Sequence, residues 1–446
     1  MFDLDRAGVR REIRAGVTTF MTMAYIVVVH PHMLAEAGMP RDGVMMATCL
    51  AAALGCFLMA WLTNYPFAMA PGLGLNAFFA YSVVLGMGLS WQGALAAVFL
   101  SGIVFVILSV TPVREAIING IPVSLKAAMS VGIGLFIALV GLETAGLVVF
   151  SPATGSLGLV SERYFADPDL RALLPEGASV ASVGLAIGGL MLTTALVALK
   201  VRGALLWGIL AATAAGIPLG VTGEGGAGGL VGWPTGLGEV CLAMSFADLF
   251  SGGLLVVFTV IFTFTFVDLF DTTGTLVGVA GKAGMLDEEG RLPRVRGALL
   301  ADSLATVGGA ALGTSTTTTY IESASGIAEG GKTGLTAVTT GVLFLLTLFC
   351  GPLVMEIPRV ATAPALIIVG VYMMEPVRRI DFADFLEAIP AFLTIIIMPL
   401  SFSISEGIVV GLLAHVFLRL VTGRAGQVNL TLWVLTACFI LRFIIA

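Results

Sequence analysis

The sequence predicts an all-α polytopic membrane protein of about 14 spans. Three observations carry this expectation. Of the 446 residues, 58% are hydrophobic and 11% charged, with a mean hydropathy of +1.04, a balance that excludes a soluble fold with one core and a polar surface. Apolar segments near the ~20-residue length of a bilayer-crossing helix recur almost from end to end. Lysine and arginine gather in alternate loops, the pattern that sets membrane topology. No stretch remains for a sizeable soluble domain. The formal charge of −6 says little, because the sign of each loop decides orientation in a membrane.

Taken in order, residues 1–14 form a charged cytoplasmic lead-in, MFDLDRAGVRREIR, that runs into an apolar segment with no small-residue cleavage site and is not a signal peptide. Spans are expected near residues 15–34, 44–63, 66–87, 92–111, 123–143, 181–199 and 203–221. A second set follows near 250–275, 297–312, 314–330, 334–354, 360–375, 386–403 and 405–421. Basic residues cluster before the first span, at Arg114 and Lys126, at Lys200 and Arg202, in loop 281–297, at Lys332, at Arg378 and Arg379, and at Arg419 and Arg424. These are alternate loops, so the N-terminus and residues 420–428 both fall in the cytoplasm and the number of spans is even. The apolar segment 428–446 breaks that parity, as an interfacial helix or as a fifteenth span. Cys49, Cys56, Cys241, Cys350 and Cys438 have no metal-binding spacing and read mostly as small hydrophobes.

The halves of the chain repeat. Residues 37–39 and 283–285 both read Ala-Gly-Met, an offset of 246 that carries Asn76 onto Glu322 and Thr22 onto Asp268. Seven expected spans precede residue 223 and seven follow. An odd number per half forces opposite orientations, and transporters built from inverted repeats bind substrate where the repeats meet.

One stretch stands out in that frame, GTSTTTTYIESASG at 313–326. Its run of β-branched hydroxyl residues favours extended backbone, and a strand at membrane depth must be buried in protein because lipid cannot satisfy its amides. Its counterpart, NYPFAMAPGLGLNAFFAY at 64–81, brackets an extended segment with Pro66 and Pro71, and Gly72 and Gly74 open a helix. Both read as strand followed by half-helix, in spans 3 and 10. The two strands pair antiparallel and aim two half-helix N-termini at one pocket. An ordinary helix with hydroxyls bonded to the preceding turn is the competing reading.

Carboxylates at lipid depth mark a substrate or ion path by default. Glu322 follows the threonine strand, and Asp268 and Asp271, three apart on one helix face, lie in FTFVDLFDTTGTLVG at 264–278. A carboxylate in such surroundings can bind and release a proton within a transport cycle. Asp302 reads as a structural acid near a helix end, and His30 and His32 as interfacial residues at the outer end of span 1. The segment GIAEGGKT at 326–333 matches the phosphate-loop pattern, but no strand, loop and helix of a soluble nucleotide domain surrounds it, so it reads as the end of a half-helix and a turn.

The segments NYPFAMAPGLGLNAFFAY, FVDLFDTTGTLVGVAGKAG and ALLADSLATVGGAALGTSTTTTYIESASGIAEGGKTGLTAV closely resemble the azaguanine-type (AzgA-like) purine permeases, nucleobase-cation symporters that share the uracil/xanthine permease fold. At lower density the likeness runs from AGVTTFMTMAYIVVVHP to PLSFSISEG. It implies 14 segments in two inverted seven-span repeats. The core domain is then 15–111 (spans 1–4) with 250–354 (spans 8–11), and the gate domain is 112–222 (spans 5–7) with 355–421 (spans 12–14). It further implies proton symport of guanine, hypoxanthine and in some members adenine, an elevator-like motion, and often a dimer. Carried over residue by residue, the tenth-span glutamate falls on Glu322, the tyrosine before it on Tyr320, the third-span polar residue on Asn76, and the eighth-span acid on Asp268 or Asp271, with Asp268 preferred. His30 stands where the family leads one to expect asparagine.

The chemistry agrees. A carboxylate such as Glu322 can accept from purine N–H groups, half-helix amides can donate to a purine carbonyl, Asn76 can do either, and Tyr320, Phe78 or Phe79 can cover the ring face. Thr22 joins the candidates through the repeat. The partners expected are a purine nucleobase and the lipid bilayer, with no nucleic acid. No cofactor is expected beyond the coupling ion, H⁺ ahead of Na⁺. An anion transporter of the sulfate-permease type, or a pyrimidine or xanthine transporter of the same fold, is the alternative. A membrane enzyme is disfavoured, since the three histidines form no metal pattern and no nucleophile motif is present.

Overall fold

The computed structural model describes residues 6–111, 121–151, 156–160, 164–165, 170, 174, 178–222, 231–286 and 292–445. Arg114, the first residues of the lead-in and the tip of loop 281–297 lie outside them. Span 1 is two helices, Arg6–Met23 and Ile26–Glu36, broken at Ala24 and Tyr25. Span 2 is Arg41–Thr63, closed by Asn64 in the left-handed conformation, φ 59°, with its N–H returned to the Ala60 carbonyl. Span 3 starts with strand β1, Met69–Pro71, then winds through Leu73–Ala77 into a wider π-helical stretch, Phe78–Gly86. Span 4 is Trp91–Val110, capped by the Ser90 hydroxyl. Spans 5, 6 and 7 are Val123–Thr144, Val180–Ala198 and Ala204–Gly216.

The second half runs in parallel. Span 8 is one helix of 29 residues, Leu254–Lys282, and span 9 is Val295–Leu312. Span 10 is a strand, Thr317–Thr319, followed by a short helix, Ser323–Ala328. Span 11 begins as Gly334–Thr347 and continues through a tight turn to Met355. Spans 12, 13 and 14 are Arg359–Tyr372, Phe385–Leu400 and Ile404–Val421. Ten described helices are long and apolar enough to cross a bilayer alone, and Leu73–Gly86, Ala204–Gly216 and Phe385–Leu400 are shorter apolar ones. The final helix, Leu430–Ile445, has 16 residues, roughly 24 Å at 1.5 Å per residue. That is as long as the span 13 helix and shorter than the ~30 Å hydrocarbon core, and it packs on span 14.

A feature the sequence reading missed is a hairpin after span 5, in which β2 (Val148–Ser151) pairs with β3 (Ser156–Leu159). With it in chain order, the span 10 strand is β4. Strands β1 and β4 pair antiparallel, as the sequence predicted, with Met69 opposite Thr319 and Pro71 opposite Thr317.

The spans pack as two sets. Spans 2, 4, 9 and 11 interlock, with spans 1 and 8 against them and the half-helix of span 10 on span 1. Spans 5, 12, 13 and 14 interlock separately, with spans 6 and 7 on span 12. Glycines let spans 5 and 12 approach closely, since a Cβ on Gly134 would lie 2.9 Å from the Gly370 carbonyl oxygen.

A two-stranded ribbon inside a membrane leaves its outer edges without a ladder, and each unpaired amide there would be costly. Side chains close both edges. Cys56 of span 2 accepts at Sγ from the Met69 N–H at 3.3 Å and donates to the Met69 carbonyl at 3.5 Å. Thr306 of span 9 accepts from the Thr317 N–H at 3.2 Å and donates to its carbonyl at 3.1 Å. Thr306→Val keeps the shape and removes both bonds. It is expected to lower stability by about 1–3 kcal/mol, seen as a lower melting temperature in detergent, and an unchanged melt would refute the edge-closing role.

The ribbon has its own local symmetry. The Gly72 N–H donates to the Thr316 carbonyl at 2.9 Å, and the Tyr320 N–H donates to the Ala68 carbonyl at 3.0 Å. These bonds map onto each other at an offset of 248, not 246. At that offset Gly74 falls on Glu322 within the ribbon, whereas the Ala-Gly-Met offset carries Asn76 there.

Candidate functional site

The ends of β1 and β4 carry the polar groups. Tyr320, buried, donates its hydroxyl to the Pro71 carbonyl at 2.5 Å, which ties the end of β4 to the start of the span 3 half-helix. Ser323 at the head of the span 10 half-helix accepts from the Ala68 N–H at 3.0 Å. Between them comes Glu322. Its Oε1 accepts from the Tyr25 hydroxyl at 2.9 Å, whereas its Oε2 is buried without a hydrogen-bond partner. An orphaned carboxylate oxygen in a buried site is costly unless a ligand donates to it. Tyr320 is within electrostatic reach of both Glu322 and Asp271.

The two aspartates of span 8 separate. Asp268 is 2% exposed and belongs to a hydroxyl hub inside the first packing set. There the Thr272 hydroxyl lies 3.4 Å from Asp268, 2.9 Å from the Asp302 carboxylate and 2.9 Å from the Thr318 hydroxyl. Asp271 is half-buried and points at the strand end, its Oδ2 3.9 Å from where a Cβ on Gly72 would stand. Asp302 is fully buried in the third turn of span 9, so it is a structural acid of the interior and not of a helix end.

Gly72 explains its own identity. A Cβ there would meet Thr318 Cγ2 at 2.6 Å, closer than the ribbon can yield without the strands parting. Gly72→Val is expected to abolish uptake with reduced membrane yield. Full activity at normal yield would show that strand β1 does not need this approach.

Of the remaining expected residues, only Thr22 lines a cavity with Glu322. Asn76 is fully buried and accepts from the Ser315 hydroxyl, leaving its Nδ2 without a partner. Phe78, also buried, packs edge-on against Phe264 with centroids 4.9 Å apart, and so lies between spans 3 and 8. The Thr22 hydroxyl bonds back to the Thr19 carbonyl at 2.8 Å. His30 and His32 are not interfacial: His30 is fully buried with Nε2 2.7 Å from the Thr314 hydroxyl, and His32 bonds the Val28 and Ile357 carbonyls. Both point inward because span 1 is enclosed by spans 2, 3 and 12.

The cavity holds about 870 Å³. Thr22, Glu322 and Ser325 line it from the first packing set, Tyr372 from the second, and Lys200, Arg202 and Arg378 from basic loops. At the far end of span 1, Arg359 of span 12 pairs with Glu36 and joins the two sets. Sequence reasoning missed Tyr25 and Tyr372. Tyr25 lies in an apolar run, MTMAYIVVV, with nothing local to mark the helix break there.

The phosphate-loop look-alike has an internal occupant. The buried Glu12 carboxylate accepts from the N–H groups of Lys332 and Thr333, at 3.0 and 3.2 Å, and from the Thr336 hydroxyl at 2.5 Å. A carboxylate at the N-terminus of span 11 satisfies its free amides and its dipole. Glu12→Ala is expected to cost about 1–3 kcal/mol as a lowered melting temperature, with no effect on substrate affinity. A change in affinity would contradict this purely structural role.

Broken helices whose strands meet at a carboxylate, in a bundle of apolar spans, define a secondary transporter and not an enzyme. Residues 10–410 match the profile of the Permease family, Xan_ur_permease, and the chain belongs to that family. It is 44% identical over 464 residues to the guanine/hypoxanthine permease PbuG of Bacillus subtilis, covering 99% of this chain and 98% of that one. It is 41% identical over 436 residues to the adenine permease AdeP of Escherichia coli, covering 98% and 93%. In fold it is similar to the transmembrane domain of the cyanobacterial bicarbonate transporter BicA, with a TM-score of 0.63 at 14% identity over 92% of this chain and 98% of that one.

Proposed function

We propose that this permease imports purine nucleobases, hypoxanthine and guanine foremost, across the cell membrane by proton symport. The observation that carries the reading is Glu322, a half-buried residue at the end of a threonine strand whose Oε2 is buried with no hydrogen-bond partner among the described residues. A neutral purine offers ring N–H donors to that oxygen, and the names of the similar permeases supply the substrate class. Asp271, facing the head of the span 3 half-helix, is the proton-coupling acid, and Asp268 supports it through the Thr272 hub. Thr22 lines the cavity beside Glu322, and Tyr320, Asn76 and Phe78 support the ribbon and span 3 behind it. An anion reading would want a purely cationic pocket, whereas Glu322 and Glu375 line this cavity beside Lys200, Arg202 and Arg378.

The two packing sets act as core and gate. The core, with spans 1–4 and 8–11, carries the base past the gate of spans 5–7 and 12–14 in an elevator-like motion. In this reading the cavity, lined by Lys200, Arg202 and Arg378, opens to the cytoplasmic side, where the positive-inside rule also puts the N-terminus. The Arg359 and Glu36 pair closes the opposite side. In a background lacking Cys241 and Cys350, Ser325→Cys is expected to react with an impermeant maleimide from the cytoplasmic face only, several-fold slower with hypoxanthine present. Labelling from the outer face alone, or at a rate indifferent to hypoxanthine, would overturn the assignment.

A further inference from the structure

Tyr25 stands in the break of span 1, its carbonyl fixed by the N–H groups of Val28 at 3.1 Å and Val29 at 2.9 Å. Its ring is 1% exposed and its hydroxyl donates to Glu322 Oε1. A backbone turn and a buried ring hold that hydroxyl in one place. Of the two carboxylate oxygens, one is thus engaged by the protein and the other, Oε2, is left for a ligand.

We infer that Tyr25 is a specificity-determining positioning residue that weakens Oε1 of Glu322 as an acceptor and leaves Oε2 as the main one, so that the pocket distinguishes bases only weakly by the amino group beside the ring N–H. The inference rests on the purine reading above. Hypoxanthine presents one N–H on the edge next to its carbonyl, whereas guanine presents the same N–H beside an amino group, a pair spaced to bond both oxygens of a carboxylate. With one of its two acceptor sites on Oε1 taken by the Tyr25 hydroxyl, both bases seat through the bond to Oε2, and the guanine amino group must share Oε1 with the tyrosine and gains less from Glu322. Without the tyrosine hydroxyl, Oε1 becomes a second buried acceptor. Guanine satisfies it and hypoxanthine leaves it orphaned, which is the situation in which polar sites discriminate strongly.

The test is equilibrium binding of guanine and of hypoxanthine to the purified full chain and to its Tyr25→Phe variant. The expected result is a shift of about tenfold in the affinity ratio toward guanine, mostly through tighter guanine binding. A ratio that stays put, whether both affinities fall together or neither changes, would show Tyr25 to be structural only and overturn the inference. If the variant does not reach the membrane, the wild type decides. Affinities within about threefold of each other support recognition mainly through Oε2, and a larger preference for guanine contradicts it. Wild-type protein that binds neither base would defeat the purine reading itself, and this inference with it.

Discussion

A Glu322→Gln protein that inserts at wild-type level is expected to lose purine uptake by about 100-fold in transport efficiency. A hydrogen bond to a charged partner contributes about 1.5–3 kcal/mol, or roughly 10- to 150-fold. The substitution is close to isosteric and keeps an oxygen for the Tyr25 hydroxyl. It replaces the second acceptor by an amide N–H that opposes the purine donor, so the loss falls at the upper end of that range. Yield and melting temperature should stay near wild type, since Oε2 has no hydrogen-bond partner to lose among the described residues. Uptake within about threefold of wild type would remove the carboxylate from the centre of the site.

The second large effect is expected at Asp271. Asp271→Asn keeps the size of the group facing Gly72 and removes its ability to exchange a proton. Accumulation driven by a proton gradient should collapse, and uptake should become flat with pH, while exchange of base for base across the membrane survives. Asp268→Asn should act differently, because Asp268 is packed against the Thr272 hub with Asp302 and Thr318. There the expected result is a lower melting temperature with a retained pH profile. The reverse pattern, coupling lost at Asp268 and kept at Asp271, would restore the preference that the sequence alone suggests.

The uneven legibility of the site has physical causes. Threonine runs and paired prolines signal extended backbone wherever they occur, so the β1 and β4 ribbon could be predicted from 64–81 and 313–326 and was found there. The repeat was visible through Ala-Gly-Met at an offset of 246, whereas the ribbon's local offset of 248 is revealed only by its hydrogen bonds. Asp268 and Asp271 share a helix face by spacing. Which of them meets the half-helix depends on the rotation of span 8 against Gly72, which no local pattern encodes. Tyr25 was invisible for a related reason: its partner Glu322 is 297 residues away, and a tyrosine among valines and methionines reads as core. The β2 and β3 hairpin lay in a loop scored only for charge.

The central claim is proton-coupled movement of a purine through a pocket built on Glu322. The most direct measurement is uptake of labelled hypoxanthine into proteoliposomes under an imposed inward proton gradient, with guanine, adenine, uracil and sulfate as competitors. Accumulation above equilibrium that collapses with the gradient and is blocked by purines alone is the predicted result. Absence of accumulation, or competition by uracil or sulfate in place of purines, would contradict it.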